Sequence, residues 1–574
     1  MSKACTRIQE SDHEAINGLP RYRLTLDNLG NACTVASSCA PGPCKPPKSY
    51  ACPFVARNSL AFLKSIRSQI SVNMYQKLDP PPRTQTGEAS FSCSGPEKVD
   101  YFDGVFNYLN KMLMEEDDLT NKPCMFIDSL ALQATEKSFY DVLVYNPQET
   151  EPLEIYDTAV LCDDLNRLCL DKARSTSLMG FADNNVLRKR RKKMVEMVDF
   201  KELLMQCAEA MANGETSQSV QILKMIRIHS SPHGNSSNRM AHYFANAIEA
   251  RLCGTGTDIY RAFASASAAW ILKSYKAYIK ACPFHRMSNV FANKSIAKLA
   301  NGRDKLHIID FGILYGFQWP CIIEGLSLRP GGPPKLRMTG IDLPQAGLRP
   351  TQGVEETGSR LIEYARRFNV PFKYHPIAKS WENVGIEDLE IDPEEMLVVN
   401  CVYRMRNVLD ETVVENRPRD RVLKFIRKLN PDMFVHGVLN GTYNVTYFPT
   451  RFRQAVLHFT TLFDMFEATA GHDDDDRKLF ERDVYGRDIM NVVACEGRSR
   501  VERPEMYRKW EMRNLKAGFV QLALDSDIVD EVRRKVEKQY HKDFVVHEDN
   551  NWMLQGWKGR VLYALSLWTP VNRS

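Results

Sequence analysis

The stretch LHIIDFGILYGFQWP, residues 306–320, runs from an apolar segment into Asp310, then Gly312 and Gly316, then a helix-forming segment. A carboxylate and a glycine turn at the end of a buried strand form the junction at which many α/β enzymes hold a nucleotide-containing cofactor. A second acid, Asp342, lies 32 residues after Asp310 at the end of the next apolar run. That is where a carboxylate binds ribose hydroxyls in a nucleotide site. The spacing resembles that of S-adenosylmethionine-dependent methyltransferases and of dinucleotide enzymes.

The glycine pattern argues against a working site. A functional methyltransferase turn reads acid-x-Gly-x-Gly-x-Gly, and here Leu314 stands where the middle glycine belongs. Glycine at that place lets backbone approach the ligand, whereas a leucine side chain fills the gap. Asp310, Gly312, Leu314, Gly316 and Asp342 therefore read as a degenerate cleft, and no cofactor is expected. Asp310 is expected to act structurally, accepting hydrogen bonds from turn amides at a helix N-terminus. Other chemistry is missing as well: GxxxxGK[ST], HExxH and GxSxG do not occur. The twelve histidines do not pair at metal-ligand spacing, and His307 reads as a hydrogen-bonded core residue. Fifteen cysteines include no CxxC pair, and Cys33, Cys39, Cys44 and Cys52 are irregularly spaced with no histidine nearby, so no metal site is expected.

The elements that position this junction follow from periodicity. Short apolar runs at 306–310, 336–342, 372–377, 396–402 and 433–439 alternate with amphipathic segments such as EETGSRLIEYARRF and RDRVLKFIRKL. Such alternation predicts βαβ units in a doubly wound parallel sheet. RDIMNVVACEG and RVLYALSLW read as further strands, an antiparallel pair closing the sheet. Before this, residues 198–300 read as helical. VDFKELLMQCAEAMANGE opens on Asp199 as N-cap, carries Phe200, Leu203, Leu204, Cys207 and Ala208 on one face, and stops at Gly214. SSNRMAHYFANAIEARLCG repeats the pattern and stops at Gly254, and RAFASASAAWILKSYKAYIKA reads as another helical stretch.

Residues 1–193 read as largely disordered, rich in Pro, Gly and Ser in segments such as CAPGPCKPPKS. Two amphipathic islands interrupt them, at 101–118 and 130–143. In the first, Phe102, Phe106, Leu109 and Leu113 fall at helical spacing and acids 115–118 follow. Apolar islands in an acidic background suit segments that fold on a partner. Arg188, Lys189, Arg190, Arg191, Lys192 and Lys193 form an unbroken basic block of the kind used for nuclear import. A net charge of +5 over 147 charged side chains does not mark the whole chain as a nucleic-acid binder. No apolar run reaches 18 residues and no basic-then-apolar leader occurs, so neither a transmembrane helix nor a secretory signal is expected. The odd cysteine count fits a reducing compartment.

The ordered set of segments resembles the plant GRAS transcriptional regulators over 198–574. The namesake motif appears as Leu306, His307, Ile308, Ile309 and Asp310, with leucine in the usual valine place. Leucine-rich regions match 199–297 and 350–385. The third block appears in VPFKYHPIAKSWENV and in RFRQAVLHFTTLFDMFEA, where the usual Arg-Glu pair is Arg453-Gln454. The C-terminal block carries RVER at 500–503, with Arg500, Glu502 and Arg503 read as an internal ion-pair lock. It also carries Trp510 with Gly518 seven residues between, and Trp557 with Trp568 ten between. The three tryptophans read as core. YLNKMLMEEDDLTNKPCMF and LALQATEKSFYDVL resemble the Scarecrow-like branch first named from lily.

The resemblance implies a methyltransferase-like core (301–574) under an α-helical cap (198–300). It implies a non-enzymatic nuclear regulator, with a cytoplasmic pool also compatible. Its expected partners are DNA-binding transcription factors and other GRAS proteins, with promoter DNA reached through them. Two alternatives stay open: direct sequence-specific DNA binding by the GRAS domain, and a cofactor or small-molecule sensor using the degenerate cleft. If the basic block drives import, replacing Arg188–Lys193 with Gln leaves the protein in the cytoplasm with its fold unchanged. Imaging of a fluorescent fusion, beside circular dichroism of the purified variant, checks this; undiminished nuclear accumulation would assign import to another segment.

Overall fold

The computed structural model describes residues 101–115, 119, 125, 198–263, 267–345 and 349–571. The second island at 130–143, the basic block 188–193 and the cysteines at 33–52 lie outside the described residues.

Helix α1 (Tyr101–Glu115) stands apart in sequence. Six helices then follow in series: α2 (Phe200–Ala212), α3 (Thr216–His229), α4 (Ser236–Leu252), α5 (Gly256–Phe263), α6 (Ala268–Ala281) and α7 (Phe284–Leu299). Their ends are set by local chemistry. The Asp199 carboxylate accepts the Lys201 and Glu202 amides and Asn235 accepts that of Asn238, satisfying donors that a helix N-terminus leaves open. Gly214 and Gly254 follow the ends of α2 and α4 with φ of 77° and 67°, the left-handed conformation that stops a helix. The segment 261–281, read above as one helix, is divided between α5 and α6.

The sheet begins with β1 (Lys305–Phe311), followed by α8 (Trp319–Ser327), β2 (Lys335–Asp342), α9 (Gln352–Arg367), β3 (Phe372–Ala378) and β4 (Met396–Val402). Next come α10 (Pro418–Lys428) and β5 (Met433–Leu439). A helical excursion follows: α11 (Phe448–Thr469), α12 (Asp475–Phe480), a π-helical turn at Glu481–Gly486, and α13 (Arg487–Ala494). The chain closes with α14 (Tyr507–Ala517), β6 (Phe519–Gln521), α15 (Ser526–Gln539), β7 (Phe544–Asp549), β8 (Trp552–Trp557) and β9 (Arg560–Pro570). The strand order is β3-β2-β1-β4-β5-β9-β8-β7, with β6 paired to β9. The first five strands run parallel, and β9 joins β5 antiparallel. This is the doubly wound, methyltransferase-like arrangement, with its topological switch point between β1 and β4.

Alternation along the strands feeds two cores. On β1, Leu306 and Ile308 face the layer of α4, α7 and α8, while Ile309 and Phe311 face α10 and α14. Asp310, in phase with Ile308, therefore points to the side that carries the cap. The cap is built from two stretches of chain, because α11 and α13 pack on α4 and α11 also packs on α2.

RDIMNVVACEG is helical, which corrects the strand expected from its β-branched content. Ile489, Met490, Val492 and Val493 are all buried, and their spacing makes one helical face as readily as a buried strand. Packing decides the outcome: α13 lies under α4 and α5, so close that a Cβ on Gly256 would meet the Ala494 Cβ at 2.5 Å. The antiparallel partners of β9 are instead β5, β6 and β8. Two tight turns order β7, β8 and β9. Asn550-Asn551 and Lys558-Gly559 all have positive φ, the requirement of a two-residue hairpin turn.

Candidate functional site

The carboxyl ends of β1, β2 and β4 meet at the switch point, where an open α/β sheet binds its ligand. Asp310 pairs in register with Asn400 on β4 and with Gly340 on β2. One Asp310 oxygen accepts the Trp319 indole N–H at 2.8 Å, and the other accepts the Asn400 amide at 2.8 Å. The donors are thus side chains of α8 and β4. This corrects the expectation of turn amides. Asn400 also exchanges hydrogen bonds with the Gln318 amide at 3.2 Å, and Gln318 donates to Asn293 on α7 at 3.1 Å.

The turn amides go to Asp342. The Leu314 N–H donates to one of its oxygens at 2.9 Å and the Leu343 N–H to the other at 2.8 Å. The Arg404 guanidinium lies 3.5 Å from the same carboxylate, and both side chains are over nine-tenths buried. Burial pushes the Asp310 carboxyl up to about 7, against the hydrogen bonds from Asn400 and Trp319. Burial also raises Asp342, with Arg404 opposing it.

Gly312 has φ +96°, and a Cβ there would meet Arg404 Cγ at 2.4 Å. Arg404 therefore covers the backbone face that a nucleotide would approach. Leu314 adopts φ 49°, a left-handed backbone that the missing glycine would have taken without strain. Its carbonyl accepts the Thr357 hydroxyl at 2.6 Å. At the neighbouring strand, a Cβ on Gly340 would lie 2.1 Å from the Tyr374 hydroxyl. The residues present do not fit an adenosyl cofactor: the acid meant for ribose is engaged on both oxygens, and the glycine face is occupied by a protein side chain. Asn400, Arg404, Trp319 and Tyr374 complete this arrangement. Sequence reasoning did not single them out, although Asn400 is a polar residue in an otherwise apolar strand.

The remaining motif residues are dispersed. His307 is fully buried, hydrogen-bonds Thr339 at 2.8 Å, and is pressed down to about 3 by burial. The RVER charges form their ion pairs outward, while the Arg503 Nε–H donates to the Arg500 carbonyl within the segment at 2.9 Å, which corrects the internal ion-pair lock. Glu502 lies 3.5 Å from Arg406 and 3.4 Å from Arg487, and Arg503 lies 3.5 Å from Asp410. Arg500 is buried beside them. The Arg419 and Arg513 guanidinium groups lie over the Trp510 ring, 5.2 and 5.7 Å from its centre. Gly518 ends α14 with φ 91°. Trp557 and Trp568 are fully buried, and the Trp557 indole N–H donates to Asp464 at 2.7 Å. Arg453 is exposed on α11, 3.6 Å from Glu209, and Gln454 accepts the Thr442 hydroxyl. Among the described residues no group of three or more His, Cys, Asp or Glu could hold a metal ion, and no helix is long and apolar enough to cross a membrane.

Topology and site define a Rossmann-type, methyltransferase-like α/β protein with a helical cap, whose switch-point carboxylates are engaged by its own side chains and backbone amides. The chain belongs to the GRAS domain family, whose model matches residues 200–569. It is similar to Scarecrow-like protein 14 of Arabidopsis thaliana, 46% identical over 79% of this chain and 61% of that protein. It is 44% identical to Scarecrow-like protein 30 of the same plant, over 82% of this chain and 90% of the relative. The crystal structure of SCL7 from Oryza sativa superposes with a TM-score of 0.55 at 26% identity, covering 65% of this chain and 99% of that one. The family is one of plant transcriptional regulators.

Replacing Asp310 with Asn sets an amide N–H₂ against one of two donors. It is expected to cost about 1–3 kcal/mol, the range for a hydrogen bond involving a charged group or an unmet buried one. The pH dependence has a definite sign. A carboxyl raised to about 7 in the folded chain binds its proton where the unfolded chain, near 3.8, has lost it. Its contribution to stability is therefore fully present below the unfolded value and is lost as pH rises toward 7. Urea unfolding at pH 5, 6, 7 and 8 checks both points: the gap between wild type and Asp310→Asn narrows with rising pH. A constant gap would mean that Asp310 stays ionised throughout.

Proposed function

We propose that this chain acts in the nucleus as a non-enzymatic transcriptional co-regulator, reaching promoters through protein contacts with DNA-binding factors and with other GRAS proteins. The observation that carries the non-enzymatic part is the Arg404 side chain lying across Gly312 toward Asp342, at the place where catalysis on this fold would hold its cofactor. The family supports the regulatory part. The basic block Arg188–Lys193 supports import.

Isothermal titration of the purified chain with S-adenosylmethionine is expected to give no saturable heat. Micromolar binding weakened by Asp342→Ala would overturn the reading and assign the cleft to an enzyme or a sensor.

The partner-mediated part is tested by comparing chromatin with naked DNA. Immunoprecipitation from crosslinked plant nuclei is expected to recover specific promoter fragments. The purified chain alone is expected not to shift those fragments at physiological salt, and nuclear extract is expected to restore the shift. A sequence-selective shift by the purified chain, surviving competitor DNA, would replace this reading with direct recognition.

A further inference from the structure

Helix α1 lies 84 residues before α2, yet it is packed against the sheet domain. Val105, Tyr108, Leu109 and Met112 are buried, with Leu109 fully so, and they share one face of the helix. This face is turned from the stripe read in the sequence: Phe106 and Leu113 are only half-buried, and the Phe102 side chain lies outside the described residues. The partner for this island is the chain itself. α1 packs on α6 and α8, with Tyr108 edge-on to Phe317 and Tyr364 at 6.1 and 5.9 Å.

Polar contacts fix its register. The Tyr108 hydroxyl donates to the Tyr315 carbonyl at 3.1 Å, and Lys111 meets Glu363 on α9 at 2.9 Å. The chain beyond α1 stays on the domain, with the Met125 N–H donating to the Tyr315 hydroxyl and Ser267 to the Leu119 carbonyl. Backbone approach is close at Gly104, where a Cβ would lie 3.1 Å from Cys321 Sγ. The receiving groove thus carries apolar walls, a carbonyl acceptor at its floor and a carboxylate at its rim. Those are the features of a site for an amphipathic helix.

We propose that the groove between α6, α8 and the Tyr315–Phe317 turn is a helix-receiving interaction surface, held in cis by α1. Its partner class is a protein presenting an amphipathic helix with the Val-x-x-Tyr-Leu-x-x-Met pattern, which gains this face only by displacing α1. Two physical points support exchange. A helix of about 12–15 residues is marginal in water on its own, so α1 is helical because the groove holds it. Tethering presents α1 at an effective concentration on the order of millimolar, which a partner helix must outcompete. The proposal concerns a surface and is independent of how the chain reaches promoters.

The test uses the full chain and a fluorescein-labelled peptide with the sequence of residues 101–115. Gly104→Cys places a thiol within disulfide reach of Cys321. Mild oxidation is expected to join these two positions within one chain, shown by peptide mapping and by a monomer on non-reducing gels. Leu109→Asp is expected to undock α1 and leave the domain folded. In anisotropy titrations the peptide is expected to bind Leu109→Asp at least about tenfold tighter than wild type. It is expected not to bind the oxidised Gly104→Cys chain, and to regain wild-type behaviour on reduction. Equal binding to all forms, or binding to none, would overturn the proposal. So would a disulfide between two chains, or one to another cysteine, since either places α1 elsewhere.

Discussion

Two carboxylates, Asp310 and Asp342, are buried side by side at the ends of adjacent strands, and the Arg404 guanidinium lies 3.5 Å from Asp342. A buried polar or charged group without full hydrogen bonding is costly, so each of the four oxygens must be met. The solution ties the fold together. Asp310 draws in Trp319 from the start of α8 and Asn400 from β4, while Asp342 draws in the Gly312–Gly316 turn and the loop after β2. The switch point between β1 and β4 is the one place where a doubly wound sheet opens, and it is closed here by the protein's own donors.

The same logic holds the cap in place. Its two stretches, 200–299 and 448–494, are far apart in sequence, and hydrophobic burial alone does not fix their register. Arg239 on α4 reaches Glu481 in the π-helical turn at 3.0 Å, and Arg477 on α12 reaches the same carboxylate at 3.2 Å; all three side chains are buried. Removing one member of such a group strands the others and costs about 3–5 kcal/mol, whereas replacing the whole group with apolar residues can be neutral. Its contribution lies in specifying which helices meet more than in net stability. The Glu502 and Arg503 contacts do the same, linking the extended 500–503 segment to Arg406, Asp410 and Arg487.

The sequence displayed the parallel half of the sheet because β1 to β5 are apolar runs separated by amphipathic helices, a pattern with few alternatives. β7 and β8 escaped notice because FVVHED and WMLQGW mix polar and apolar residues; the available signal was the turn chemistry of Asn550-Asn551 and Lys558-Gly559. α13 was misread because Ile489, Met490, Val492 and Val493 are buried in a tertiary setting that periodicity cannot report. At the site, Asp310, Asp342 and Leu314 were legible from spacing. Asn400 and Arg404 were not, since only the crossover from β1 to β4 brings a residue ninety positions later into register with Asp310. For α1 the amphipathic pattern was visible, but the buried face is the one that carries Tyr108 to the Tyr315 carbonyl.

The turn after β1 is held from both sides, and this links the filled cleft to α1. From within, the Leu314 amide is spent on Asp342. From without, the Leu314 carbonyl accepts Thr357 of α9, and the next carbonyl, Tyr315, accepts Tyr108 of α1. A buried carbonyl that loses its donor must find another or turn toward water. Departure of α1 therefore does more than uncover apolar side chains. It removes the donor to the Tyr315 carbonyl, and with it one of the hydrogen bonds that hold Leu314 and Tyr315 in place. Leu314 itself sits in a left-handed conformation, φ 49°, that a leucine adopts only under constraint. The groove and the switch point thus meet at two consecutive peptide groups, those of Leu314 and Tyr315.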